Sequence, residues 1–430
     1  MYEISAQVIP RVVEKIWNFS TISTWLSTAK KLDVFWLFGH LSPLSTALRL
    51  LLLNPIYCYY SMEVNDMRFS CDTNDLNSSL SIVSRALAIR SPKPILEGIL
   101  FESCESGLRL TCTDLALGIE TIIPATFIEE GRAVLPGKLL CEIVRKLPGG
   151  MCDISISDRM QATIRCASIR TTISGFDPVE YPELPQVTGA SFAMAQSTLR
   201  DMIGRTLFAI AVDESRPILT GCLMEVGKSE MRVVALDGFR LARRTYHTEE
   251  PTGRTLSYVV PAQGLKEVEK ILVDGDETVA FTMGQKHIMY QIGKATLICR
   301  LLEGEFLDWK KVVPTNCPIK LTAHVSDLVS SIERVGLIVS EKYKSPVRCV
   351  FANQVVYLRT NTTIGAAEDQ CSLAGDGKEL EIGFNVRYLA DALKAIPSEE
   401  VVLELTNGLS PIVLTPADDK SDYSYMVLPV

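Results

Sequence analysis

The chain has 430 residues, 47% hydrophobic and 22% charged, with a formal net charge of −8. That length predicts roughly two to four domains, each able to bury its own core, and the ordinary composition excludes disordered and collagen-like classes. The acidic balance argues against attraction of nucleic acid over the whole surface but leaves room for a basic inner face on an acidic body.

Residues 1–66 stand apart from the rest of the chain. They hold Trp17, Trp25 and Trp36, three of the four tryptophans, and an apolar stretch from Leu44 to Tyr60 broken by Arg49, Asn54 and Pro55. A membrane-spanning helix needs roughly 20 mostly apolar residues, and no short basic start leads into a cleavable apolar core. The segment is expected to be a non-homologous extension without function, disordered or a non-native start, with a peripheral membrane anchor as the alternative reading.

From Met67 the pattern is regular. Arg68 to Cys71 reads as a strand, and Thr73 or Asn74 can cap a helix with Leu76, Leu80, Val83 and Leu87 on one face. Leu199, Met202, Ile203 and Leu207 open a second unit in the same way, and Val325, Leu328, Ile332 and Val335 a third. Leu108–Cys112, Met231–Ala235 and Val355–Arg359 read as strands. A second helix follows in each unit, over Leu135–Leu147, Val260–Leu272 and Asn385–Ile396. On these helices Lys138, Arg145, Lys146, Lys266, Lys270, Arg387 and Lys394 project away from the apolar stripe. With Glu142, Glu267, Glu269 and Asp391 interleaved, that charge pattern alone describes a solvated face.

The units repeat. Leu140, Leu265 and Leu389 stand 125 and 124 residues apart, and Thr113-Asp114, Leu236-Asp237 and Thr360-Asn361 recur at steps of 123 and 124. A period of that length is a whole domain rather than a solenoid turn. Proline-rich joints at Phe176–Pro185 and Glu305–Pro314 set expected domains at 67–187, 188–313 and 314–430. The fold class is therefore α+β, three tandem domains of two helices plus many strands.

Chemistry is sparse. The twelve cysteines form no C-x-x-C pair and the four histidines no H-E-x-x-H frame, which predicts buried thiols in a reducing compartment and no metal. There is no phosphate loop, no nucleophile elbow and no strand-linked dinucleotide fingerprint. Three repeats without a catalytic constellation point to a scaffold or binding body that uses no cofactor.

Local signatures resemble the bacterial DNA polymerase III beta subunit, the sliding clamp, from Met67 to Val430. They are Asp213-Glu214-Ser215-Arg216-Pro217-Ile218-Leu219-Thr220-Gly221, Ala235-Leu236-Asp237-Gly238-Phe239-Arg240-Leu241-Ala242, Glu381-Ile382-Gly383-Phe384-Asn385 and Tyr425-Met426-Val427-Leu428-Pro429-Val430. The resemblance implies a head-to-tail homodimer whose six similar domains close a ring, with helices lining the hole and sheets outside. It implies a cytoplasmic, non-catalytic processivity factor that encircles duplex DNA without reading sequence and needs no membrane. Its partners would be the replicative polymerase, the clamp loader and other proteins bearing a clamp-binding motif.

By the same resemblance, Arg90, Lys138, Arg145 and Arg205 would face DNA. Ser78, Ala262, Gln263 and Asp213 stand where the family often carries basic residues. A client-peptide groove would be formed by Leu219, Leu236, Gly238, Phe239, Arg240, Leu241, Leu307, Lys311, Val312, Met426, Leu428 and Pro429. Leu307 replaces a frequent proline and no basic residue follows Val430, so the rim is expected to differ. Ile173, Leu337 and Ile338 would be apolar partners at the dimer interface. Two other readings are an enzyme with a site at a domain interface and a membrane-tethered adaptor using residues 1–66.

Overall fold

A computed structural model of the chain describes residues 67–213, 215–248, 255–339, 345–418 and 422–430. The expectations for residues 1–66 lie outside them.

One string of elements is written three times. The first unit runs β1 (Met67–Asp72), α1 (Thr73–Val83), β2 (Gly98–Cys104), β3 (Gly107–Thr113), β4 (Leu117–Ile123), a short β5 (Thr126–Glu129), β6 (Arg132–Pro136), α2 (Gly137–Val144), β7 (Met151–Ile156), β8 (Gln161–Cys166) and β9 (Ile169–Ser174). The second runs β10 (Ala190–Ala195), α3 (Gln196–Gly204), β11 (Gly221–Val226), β12 (Glu230–Leu236), β13 (Arg240–His247), β14 (Leu256–Pro261), α4 (Ala262–Ile271), β15 (Thr278–Met283), β16 (His287–Ile292) and β17 (Ala295–Arg300). The third runs β18 (Ile319–His324), α5 (Val325–Gly336), β19 (Val347–Ala352), β20 (Val355–Thr362), β21 (Gly365–Ser372), β22 (Leu380–Phe384), α6 (Val386–Lys394), β23 (Glu400–Leu405), β24 (Ile412–Pro416) and β25 (Tyr423–Val427).

The helices start and stop for local reasons. On α1 the cap is Asp72, not Thr73 or Asn74: its carboxylate accepts from the Asn74 and Asp75 amides at 2.8 and 3.4 Å. Leu76, Leu80 and Val83 are buried on one stripe, while Leu87 lies beyond the helix in extended backbone. Leu207 likewise falls in a short turn after α3. Each helix pairs with the other of its unit over the sheets, and one continuous apolar cluster threads all three units. A fully buried leucine in it is worth about 1.5–3 kcal/mol.

The sheets run across the unit boundaries. One eight-stranded sheet has the order β10-β15-β16-β17-β4-β3-β2-β6, and a second β14-β11-β12-β13-β25-β24-β23-β18. Units one and two thus join along β4 and β17, with Leu117 opposite Cys299 and Thr121 opposite Ala295. Units two and three join along β13 and β25, with Arg240 opposite Val427 and Arg244 opposite Tyr423. Aligned on their helix starts and ladders, the two joints have the same strands in the same register. A five-stranded sheet ends at β9 and a four-stranded sheet at β21, which leaves at either end the edge that the internal joints use up.

Among the described residues no helix is long and apolar enough to cross a membrane. Nine of the eleven described cysteines are buried, and burial pushes the Cys349 thiol up to about 12.

Candidate functional site

Period-two alternation gives the second joint two faces. On β12, Val233 and Ala235 belong to the helix-covered core, while Val234 and Leu236 belong to a second buried cluster. Leu219, Leu223, Leu241, Val259, Trp309, Val413 and Met426 complete it, and Leu428 packs against it. The connector after β17 lies over this face and inserts Trp309, with Phe306 and Val313 packed beside it.

The β12–β13 turn shapes one end. Gly238 sits at φ +93°, a left-handed conformation that costs a side-chain-bearing residue more than glycine. The Asp237 carboxylate accepts from the Phe239 and Arg240 amides at 2.8 and 3.0 Å. Phe239 is thereby held outward, 60% exposed, and stacks on Tyr388 of α6 with ring centroids 6.2 Å apart. Its carbonyl accepts from the Leu428 amide at 2.8 Å. Leu307 and Val312, next in the chain to residues that fill the cluster, are 44% and 46% exposed. Lys311 is exposed with its ammonium 3.1 Å from Asp308, and Pro429 forms an isolated bridge with Phe384.

The structure therefore gathers Leu219, Leu236, Leu241, Met426 and Leu428 into one apolar floor, with Gly238, Phe239, Leu307, Lys311, Val312 and Pro429 around it. Arg240 departs from its expected role. Its guanidinium is buried, 3.1 Å from Asp237 and 2.7 Å from Asp391 of α6, and lies over the Tyr388 and Phe208 rings at 4.4 and 5.5 Å. It is a strut between the second and third units, with Nε donating to Asp237 and Nη1 to Asp391. Sequence reasoning missed Trp309, Val234 and Val413. The signals were present in the alternation of β12 and in the sole tryptophan beyond residue 66.

Arg90, Lys138 and Arg145 are exposed, as are Lys146 and Lys266, and none of the five has an ion-pair partner among the described residues. By contrast Lys270 is 2.7 Å from Glu267, and Lys394 is 2.6 Å from Glu333. Arg205 requires a correction. Its guanidinium binds Asp201, donates to the Ala395 carbonyl at 2.5 Å and lies 5.6 Å from the centre of the Tyr423 ring, so it ties units two and three together and is not free for phosphate.

Asp201 is the hub of that tie, also accepting from the Tyr423 hydroxyl and from Arg244 at 3.2 Å. Burial pushes its carboxyl up, but the bonds from Tyr423, Arg205 and Arg244 outweigh this and hold it below the ordinary value. A depressed folded pKa adds stability that is full above the unfolded value of about 3.9 and is lost as pH falls through the folded one. The urea midpoint of Asp201→Asn is expected to lie below wild type at pH 7 and to converge on it below about pH 4. A gap unchanged down to pH 3 would exclude this account.

At the free ends, Leu337 is 83% exposed and Ile338 partly so. Ile173 also needs correction: its side chain is buried in the first unit's core, so only its edge-strand backbone is available to a partner. Leu139 on α2, which sequence reasoning passed over, is a 48% exposed apolar residue at that end.

Models of the DNA polymerase III beta subunit match the chain in three places, the N-terminal domain at 67–185, the central domain at 193–308 and the C-terminal domain at 310–430. The chain belongs to the DNA polymerase III beta subunit family. It is 32% identical over 368 residues to the beta sliding clamp of Staphylococcus epidermidis, covering 83% of this chain and 96% of that one. It is 30% identical to the Staphylococcus aureus beta sliding clamp, with 85% and 99% covered. Among solved structures, the sliding clamp of Bacillus subtilis superposes with a TM-score of 0.82 at 28% identity, and a beta subunit from Eubacterium rectale with 0.81 at 31%. Each comparison covers 85% of this chain and 99% of the other. The function of a sliding clamp follows from this membership.

Proposed function

We propose that two copies of this chain close a ring around duplex DNA in the cytoplasm and hold the replicative polymerase, the clamp loader and other clients through the groove at the second joint, without catalysis. Divisions after residues 187 and 313 would give six domains per ring. The observation that carries this reading is the repeated joint. Two of the three units spend the same edge on the next unit in the same register, and the third unit's β21 and the first unit's β9 are left over. Extending the register across copies sets Gly365 opposite Ile173 and Glu368 opposite Arg170 of the second copy.

Helix positions support the same closure. The thirteenth residue after the cap of each unit's first helix is Arg85, Phe208 or Leu337. Arg85 reaches Glu267 across the first joint at 3.1 Å, and Phe208 reaches Tyr425 across the second at 5.7 Å between centroids. Leu337, in the same place, would meet α2 and β9 of the second copy, where Leu139 is exposed. Such heterologous joints close when their rotation completes a circle.

The free cations suit a hole that holds DNA loosely. Duplex DNA carries one charge per roughly 1.7 Å, and phosphate contacts position a protein without reading sequence. Retention is then topological. Clamp loaded on nicked circular plasmid should co-elute with it at moderate salt and be released when the plasmid is linearised. Release rates equal on circle and line would sink the ring reading.

A further inference from the structure

The outer face that builds the groove runs on into positive charge. Arg232 is two residues from Val234 on β12 and Arg243 two residues from Leu241 on β13, so both share the face of Leu236 and Leu241. Three cationic groups surround the Trp309 ring: Arg243 Cζ at 5.5 Å, Arg232 Cζ at 6.0 Å and Lys310 Nζ at 5.5 Å from its centre. Arg232 is matched by Glu230 and, at 3.8 Å, by Glu225.

Arg243 is not matched. No carboxylate of the described residues lies within ion-pair distance of it, and its buried Nε has no hydrogen-bond partner. Burial and the neighbouring Arg232 push its pKa below the ordinary arginine value, against Glu230 and Asp422. A half-buried guanidinium among like charges is costly unless an anion completes it, and a contact with an indole offsets only part of that.

We infer that clients of this clamp carry a carboxylate side chain that docks on Arg243, with Arg232 and Lys310 flanking it. That carboxylate lies two residues along an extended peptide from an apolar anchor seated among Leu219, Leu236, Leu241 and Met426. The spacing follows from geometry: two residues of strand and two of extended peptide each span about 6.6 Å, with side chains i and i+2 on one side. This inference rests on the proposed groove and names the class of client that the groove selects.

The test uses the full chain and fluorescein-labelled short peptides that differ only in having Asp or Asn two positions from a leucine anchor. By fluorescence anisotropy the Asp peptide should bind wild type about tenfold more tightly, as a charge-assisted hydrogen bond allows. The preference should vanish in Arg243→Gln, persist in Arg243→Lys and weaken with added salt, while the Asn peptide binds all three proteins alike. That last result also reports that the variants are folded. Equal binding of both peptides to wild type, or a preference that survives Arg243→Gln, overturns the inference and leaves the groove standing. Binding that survives replacement of the leucine by serine, or no binding of either peptide, overturns the groove reading and this inference with it.

Discussion

Leu337→Asp should convert the proposed dimer to monomers, raising its dissociation constant about a thousandfold. An exposed leucine that becomes buried contributes about 2 kcal/mol, each ring buries two of them, and every 1.4 kcal/mol is a factor of ten. The expectation depends on place rather than on apolarity. Leu409, in a turn of the same unit, is 90% exposed, yet it corresponds to no residue that crosses a joint, and Leu409→Asp should leave the dimer intact. Sedimentation equilibrium over a dilution series distinguishes the two. If both variants behave alike, Leu337 does not sit at a joint between copies. A charge exchange checks the register: Glu368→Arg should weaken the dimer and Arg170→Glu in the same chain should restore it.

The second large effect is expected at Arg240. Removing one partner of a buried ion pair costs about 3–5 kcal/mol because the other charge is left uncompensated, and Arg240→Ala would strand both Asp237 and Asp391. It would also take the cation away from the Tyr388 and Phe208 rings. Circular-dichroism melting should show a lowered midpoint, and peptide affinity at the groove should fall because Asp237, which holds the turn beside Phe239, and Tyr388, on which Phe239 stacks, both lose the guanidinium packed against them. A variant with an unchanged melting curve and weakened peptide binding would mean that Arg240 contacts the client directly, against the structure.

The sequence was most legible where one property repeats. The threefold period, the apolar stripes of α1, α3 and α5 and the alternation on β3, β12 and β20 all follow from spacing, and the stripe residues are buried except Leu87 and Val325, which pack half-buried against the core. The joints were hidden, because β4 with β17 and β13 with β25 pair strands from different units, and no local pattern records a partner that far along the chain. The groove was legible as a set of residue types but not by orientation. Leu236 and Leu241 face it because strand alternation puts them there, whereas Arg240 and Arg205 turn away because acidic partners from the third unit or from their own helix claim them first. Ile173 shows the same limit in reverse: an apolar residue on an edge strand can serve its own core and offer a partner only backbone.

A ladder that runs unbroken from one unit into the next also governs stiffness. Bending either internal joint would strain a row of backbone hydrogen bonds together with the packing beneath, so those boundaries should resist flexing like the middle of a sheet. In a ring of two such chains, deformation would collect at the two seams where no peptide bond spans the gap. Prising the circle apart to admit a double helix would then be a parting of copies, and each chain would keep its curvature like a rigid jaw.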